Sequence, residues 1–355
     1  MAVPVTAALA AAQAGSIGIG FSGGGFLLPF FLGVIDMLYN ELQIMRPSDP
    51  VAGGSAGALA AVAANGLFPP ETMRREVEHL SNFCRGRGNC WGVVKDEISK
   101  ICRRNLGPDA GAYLNRHGRT FVAVTLPDPA GKAPATHRLV SRFKDTDDLI
   151  STGEASIYVP FWAGAALSVK FRGEDAYDGS FAGPGRGFLP CPPNVTYCVR
   201  VCPFPAGTSI ARLLTLDLLQ GGPPAKASLA GGVASTLLGA DAPGNIAATL
   251  RSFLGGSKRD LGVQAAQTAQ LLAALSAVVT PGEGDADIWP GRRHKLPVDR
   301  ATWTMWTAVW TDRAGILAMY ELGRAEALSW AREAGFAAAK RYSLETHNGK
   351  MRFRP

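Results

Sequence analysis

The stretch Val51-Ala52-Gly53-Gly54-Ser55-Ala56-Gly57 constrains this chain more than any other: a short apolar run breaks into G-x-S-x-G and then into Ala58–Asn65, a strong helix former closed by Gly66. A strand that turns directly into a helix pushes the serine hydroxyl out at the sheet edge, and its neighbours must be small because the turn brings backbones close together. The same order occurs once before. Ser16–Phe21 is a short apolar run that reads as a buried parallel strand. Gly23-Gly24-Gly25 follows it, and Phe26–Leu42 then carries Phe30, Leu32, Val34, Ile35, Met37, Leu38 and Leu42 at helical spacing, with Pro29 near the first turn. Strand, glycine turn and helix, twice in succession, predict an α/β fold: a mainly parallel central sheet covered by helices on both faces.

Further along, residues 71–104 read as helical and basic, Thr120–Leu126 as a strand and His137–Ser141 as its neighbour. Ile150–Leu167 reads as helix or loop with an aromatic lip, Phe161-Trp162, and Phe171–Asp178 as a strand that ends in Asp-Gly. Tyr197–Val201 is the last core strand expected. Residues 207–280 are Ala/Leu/Gln-rich and read as helical, 281–300 as a linker, and Trp303–Phe336 as an amphipathic helix whose stripe of Trp303, Trp306, Trp310 and Leu317 packs into the core. The organisation expected is an Ala-rich lead-in over 1–15, a catalytic domain over 16–205, and a C-terminal helical extension over 206–355 packed on it.

Hydrophobic residues make up 47% of the 355 and charged ones 18%, enough apolar surface for a large core. The net charge of +7 favours anionic partners, but the basic clusters (Arg103-Arg104, Arg292-Arg293-His294-Lys295) are short and not interleaved with aromatics. They read as solvated surface with at most a weak attraction to membrane phosphates, and no nucleic-acid partner is expected. The six cysteines form no C-x-x-C pair, and reduced thiols in an intracellular protein are expected. The first charged residue is Asp36, so a basic n-region is missing, and Pro4 with the glycines from Gly15 onward argues against a membrane span. A cytoplasmic or peripheral place at a membrane or lipid droplet is the expectation, with a plastid also open.

Three elements carry chemistry. Ser55 is the candidate nucleophile. Gly23, Gly24 and Gly25 leave backbone N–H groups unobstructed, and such amides stabilise an oxyanion by about 3–4 kcal/mol per donor. Asp178, followed by Gly179, is the candidate base, since a carboxylate can serve a serine directly when the two meet within hydrogen-bond reach. A competing motif overlaps the first turn: Gly18-x-Gly20-x-x-Gly23 fits a dinucleotide fingerprint, but its glycines lie inside the strand and Asp36 and Glu41 fall on the following helix instead of a strand tip. None of His79, His117, His137, His294 and His347 has a convincing triad context; only His294 follows the required chain order, in a basic linker-like stretch.

With these elements in order, Ile17–Val201 resembles the patatin-like phospholipase family. Gly23-Gly24-Gly25-Phe26, Gly54-Ser55-Ala56-Gly57-Ala58-Leu59 and the stretch from Val159-Pro160-Phe161 to Tyr177-Asp178-Gly179 look closest to its triglyceride-lipase and adiponutrin branch, as does Tyr320-Glu321-Leu322-Gly323. Leu28 stands where that family's glycine pattern ends in Gly, the basic residue often found after the glycines is absent, and Ser180 stands where Ala or Gly usually follows Asp-Gly. The resemblance implies a three-layer α/β/α fold and a Ser55–Asp178 dyad without histidine. It also implies an oxyanion hole at the glycine amides, with Gly53, Gly57 and Gly179 as motif glycines. The activity implied is hydrolysis of an acyl-lipid ester by the phospholipase A, galactolipase or triacylglycerol lipase type, at a membrane or lipid-droplet surface. The alternatives are transacylation at the same site, or a catalytically weak scaffold with this fold. Phe26, Leu27, Leu28, Phe30, Phe31, Phe161 and Trp162 would line the acyl channel. No cofactor or metal is needed for this chemistry.

Overall fold

The computed structural model describes residues 6–88, 90, 92–117, 119–129, 133, 135–160, 162–164, 166, 168–181, 189–206, 286–347 and 350–354. Phe161 and the expected helices of 207–280 lie outside them.

The core is a five-stranded sheet. Strands β1 (Ile17–Phe21), β2 (Pro50–Gly54), β3 (Arg119–Leu126), β4 (Thr136–Val140) and β7 (Tyr197–Val201) stand in the order β4-β3-β2-β1-β7. All neighbours run parallel except β4, which pairs antiparallel with β3. Successive side chains of a strand point to opposite faces, so the burial of all five residues in β1 and in β2 requires cover on both faces. The fold is α/β with a mostly parallel central sheet and helices, consistent with the expected α/β/α layering.

Helix α1 (Ala7–Gln13) packs against β1 and β7. Helix α2 (Leu28–Ile35) follows β1 and continues as a π-helical turn through Asp36–Glu41. Helix α3 (Ala56–Ala64) follows β2 and packs on β1, β2 and β3. The basic stretch expected as one helical region is three helices, α4 (Pro70–Arg87), α5 (Val94–Asn105) and α6 (Ala110–His117). Pro70 opens α4, and Gly88, at φ 81°, closes it in the left-handed conformation that suits glycine. Helix α7 (Thr146–Ser156) is capped by the Asp145 side chain and packs on β3. The expected strand Phe171–Asp178 is a small hairpin, β5 (Val169–Phe171) and β6 (Glu174–Ala176), with Asp178 just beyond it.

Three expectations for the C-terminal part are corrected. The segment before residue 300 is not a free linker where it is described: Ile288 and Trp289 are buried, and Ile288 bridges Val201 at the edge of β7. The single amphipathic helix is two, α8 (Arg300–Met305) and α9 (Arg313–Glu333), because Asp312 caps a new helix by accepting from the Gly315 N–H. The aromatic stripe is therefore split: Trp303 is fully buried against Phe30, Trp306 and Trp310 are half-buried, and Leu317 is exposed. Finally, the chain ends in a hairpin, β8 (Ser343–His347) and β9 (Lys350–Arg354), where a helical extension was expected.

Helix α9 crosses α2 at backbone distance. A Cβ on Gly33 would collide with the Tyr320 carbonyl, and one on Gly323 with the Phe30 carbonyl. Arg324 closes the crossing by pairing with Asp36 at 3.2 Å and Glu41 at 3.0 Å. The expectation of six reduced thiols is also corrected. Cys84–Cys90 and Cys191–Cys198 are disulfide-bonded, and Cys102 and Cys202 are free. Each pair closes a short loop, at the end of α4 and before β7, that brings the Cα atoms to 4.9 and 6.0 Å, within bonding range.

Candidate active site

Parallel strands β1, β2 and β3 all end at one edge, and the three chemical elements lie just past those ends. Register pairs Phe21 with Gly53, so the glycine loop after β1 and the serine turn after β2 are neighbours. The third element reaches the end of β3 by an isolated bridge, Thr125 with Tyr177, whose two N–H···O bonds measure 3.0 and 3.1 Å. The open ends of parallel strands are where α/β sheets place ligands.

Ser55 has φ 55° and ψ −126°, a conformation that non-glycine residues rarely adopt and that costs on the order of 1–3 kcal/mol. The flanking glycines make the turn possible. A Cβ on Gly53 would collide with the Gly57 carbonyl, and one on Gly57 with the carbonyls of Phe21 and Ser22. Ser55 stands at the N-terminus of α3 with its side chain not used as a cap, which leaves the hydroxyl free for other partners. Its N–H donates to the Ser156 hydroxyl at 3.0 Å. The Ser156 carbonyl in turn accepts from the Gly179 N–H at 2.9 Å. One buried residue at the end of α7 thus ties the serine turn to the Asp-Gly turn. Sequence reasoning missed it, since a serine at a helix end carries no local signal of that role.

Asp178 is 1% exposed. Its N–H donates to the Tyr158 carbonyl at 2.9 Å, and its carbonyl accepts from the Thr125 hydroxyl at 2.8 Å. Gly179 passes so close to β3 that a Cβ there would collide with the Ala123 carbonyl. The carboxylate oxygen Oδ1 accepts from the Ser180 N–H at 2.9 Å, while Oδ2 has no hydrogen-bond partner among the described residues. Burial pushes the carboxyl up to about 6, and the hydroxyl of Ser55 and the N–H and hydroxyl of Ser180 pull against that rise. Ser55 is therefore near enough to favour the carboxylate.

The glycine loop lies against both residues. A Cβ on Gly23 would sit 3.5 Å from the Cβ of Ser55. The N–H groups of Gly23, Gly24 and Gly25 have no hydrogen-bond acceptor among the described residues. Gly25 is at φ 54° and begins a short 3₁₀ turn, Gly25–Leu27. That turn is held from the C-terminal part of the chain: the Phe26 N–H donates to the Thr307 carbonyl at 3.1 Å, and the same carbonyl leaves no room for a side chain on Gly25. The loop after α8 therefore braces the glycine loop, a second contribution that the sequence did not announce.

Ser55 opens on a narrow apolar cavity. Gly25, Phe26, Leu28, Ala56 and Trp162 line it together with Leu59, Phe68 and Ile157, and α4 and α5 supply Met73, Val77, Leu80, Val94, Ile98 and Ile101. Glu76, its one acidic lining residue, pairs with Arg104 at 2.5 Å. A second cavity shares Leu59, Phe68, Met73, Ile98 and Cys102 with the first and continues it toward α7. Of the expected channel residues, Phe26, Leu28 and Trp162 line this space, and the Phe26 and Trp162 rings meet edge to face at 6.1 Å. Leu27, Phe30 and Phe31 do not. They are fully buried, and the two phenylalanines stack on Trp303 and Phe21 in the core. No histidine lines the cavity among the described residues, and His294 instead bonds Ser329 on α9 at 2.8 Å.

No protein-family model matches the chain. The human protein named Patatin-like phospholipase domain-containing protein 4 is 29% identical over 194 residues, which cover 53% of this chain and 72% of that protein. This distant likeness supports the patatin-like family and does not support the adiponutrin-like branch.

Proposed function

We propose that this distant relative of a patatin-like phospholipase domain protein is a lipid acyl hydrolase in which Ser55 is the nucleophile and Asp178 the base. The observation that carries the reading is the pairing itself: a serine on a strained turn faces a buried carboxylate whose pKa of about 6 lets it be ionised, yet basic enough to accept a proton, at neutral pH. The apolar cavity at Ser55 and the likeness to that relative both suggest a lipid acyl ester as substrate.

In the first half-reaction the Ser55 oxygen attacks the ester carbonyl while its proton passes to Asp178. The negative charge that develops on the carbonyl oxygen is held by amides of Gly23, Gly24 and Gly25, which have no other acceptor among the described residues. Collapse of the tetrahedral intermediate breaks the C–O bond, and Asp178 returns the proton to the departing alcohol. Water then repeats the sequence on the acyl-enzyme, with Asp178 as its base, releasing the fatty acid and restoring Ser55. The acyl chain lies between Phe26, Leu28 and Trp162 and runs toward α4 and α5. A substrate drawn from a lipid aggregate implies peripheral contact with a membrane or lipid-droplet surface.

The test is hydrolysis of a long-chain ester together with covalent labelling by a fluorophosphonate. Ser55→Ala and Asp178→Asn are each expected to abolish turnover with the fold intact by circular dichroism. Wild-type turnover in either variant would refute the dyad.

A further inference from the structure

Beside the dyad stands a hydroxyl that the mechanism above leaves unused. Ser180 is 5% exposed, and its Oγ is buried without a hydrogen-bond partner among the described residues. It points inward: a Cβ on Gly23 would collide with it, and one on Gly54 would lie 3.5 Å away. The Ser180 N–H already grips Oδ1 of Asp178 at 2.9 Å. Oδ2 of the same carboxylate is likewise without a hydrogen-bond partner among the described residues. Two buried, unpaired groups on residues joined by a backbone hydrogen bond are each other's natural partners, because neither has water to fall back on.

We propose that Ser180 is a positioning residue for Asp178, its hydroxyl holding the carboxylate toward Ser55 during the reaction. The proposal rests on the Ser55–Asp178 reading. Its chemical logic is clearest in the second half-reaction: once Ser55 is acylated its oxygen has no proton to donate, and Ser180 is the hydroxyl that remains beside the carboxylate. The same hydroxyl favours the ionised form of Asp178. Besides burial, the groups of Ser55 and Ser180 act on that ionisation, and among the described residues no charged side chain of β3, α3, α7 or the glycine loop does.

The experiment measures the rate at which a fluorophosphonate labels Ser55 across roughly pH 4.5 to 9, in the wild type, Ser180→Ala and Ser180→Gly. Removing a hydrogen bond to the charged form raises a carboxyl pKa, so in both variants the acid limb is expected to move up by about half to one pH unit. Labelling near pH 6 should then fall about 2- to 5-fold, with a smaller loss on the alkaline plateau. An unmoved midpoint, or a uniform fall at every pH, overturns the proposal. Asp178→Asn separates the two layers. If it labels as the wild type does, the dyad reading fails and takes Ser180 with it. If it is inert while the Ser180 variants keep the wild-type midpoint, only the role of Ser180 fails.

Discussion

Replacing Asp178 by Asn should make this protein more stable at neutral pH while removing its activity. The carboxyl is raised from 3.8 to about 6 by burial. A raised carboxyl means that the folded state binds the proton more tightly than the unfolded chain. Below about pH 4 the group is protonated in both states and exacts no penalty; between about 4 and 6 the penalty grows, and above about 6 it is complete. A shift of about two units at ~1.4 kcal/mol each makes this about 3 kcal/mol of stability lost at pH 7 and above. An asparagine is neutral throughout, and its Oδ1 can still accept from the Ser180 N–H, so the variant recovers that energy only where the aspartate would be ionised.

Urea unfolding of wild type and Asp178→Asn at about pH 4.5, 6 and 8 tests this. The variant should gain about 1 kcal/mol at the lowest pH and about 3 kcal/mol at the highest. Asp49, Glu321 and Glu326 are also raised by burial, but they are present in both proteins and cancel in the difference. A stability gap that does not change with pH, or a variant less stable at pH 8, would refute the reasoning, because the burial of an ionised Asp178 would then not be the governing cost.

Three further outcomes follow from the same geometry. Ser156→Ala leaves the buried Ser55 N–H without its acceptor, which should cost about 1–3 kcal/mol in urea unfolding and slow fluorophosphonate labelling of Ser55, whereas Ser156→Thr, which keeps the hydroxyl, should lose less. Gly57→Ala drives a methyl into the carbonyls of Phe21 and Ser22; a loss of about 3 kcal/mol or failure to express as a folded protein is expected, and a stable, active variant would be inconsistent with the close approach of α3 to β1. Ile98→Trp fills the space where the two cavities join, so long-chain ester hydrolysis should fall about 10-fold or more relative to short-chain, at ~0.8 kcal/mol per methylene displaced.

What the sequence disclosed was local in origin. Gly53, Gly57 and the glycine triplet were legible because a strand that turns straight into a helix leaves almost no other residue type possible at those positions. The mainly parallel character of the sheet was legible for the same reason, through the apolar runs of β1 and β2 that precede each turn. Asp178 was legible as an Asp-Gly after an apolar segment, although its burial comes from Tyr158, Thr125 and the end of α7, which no local pattern foretold. The break between α8 and α9 had a readable cap in Asp312 and Gly315 that the tryptophan periodicity concealed. The disulfides were hidden because spacings of six and seven residues become bonding distances only when the end of α4 and the approach to β7 fold their loops back.

The residues that the sequence concealed have one thing in common: they hold the backbone of the site's turns, largely through carbonyls. The Ser156 hydroxyl accepts from the Ser55 N–H and its carbonyl from the Gly179 N–H, and Thr307 fixes the glycine loop through a carbonyl alone. Every residue type, proline included, carries a backbone carbonyl, so composition records nothing of such a role. Thr307 lies between α8, which anchors its buried Trp303 through an indole N–H to the Pro203 carbonyl at 2.8 Å, and α9, which locks onto α2 at Gly33 and Gly323. Helix α2 begins where the glycine loop ends. The C-terminal segment therefore grips that loop from both sides, through the Thr307 carbonyl at its start and the α2–α9 crossing behind it. On this geometry the shape of the candidate oxyanion site depends on residues more than a hundred positions beyond the last strand of the sheet.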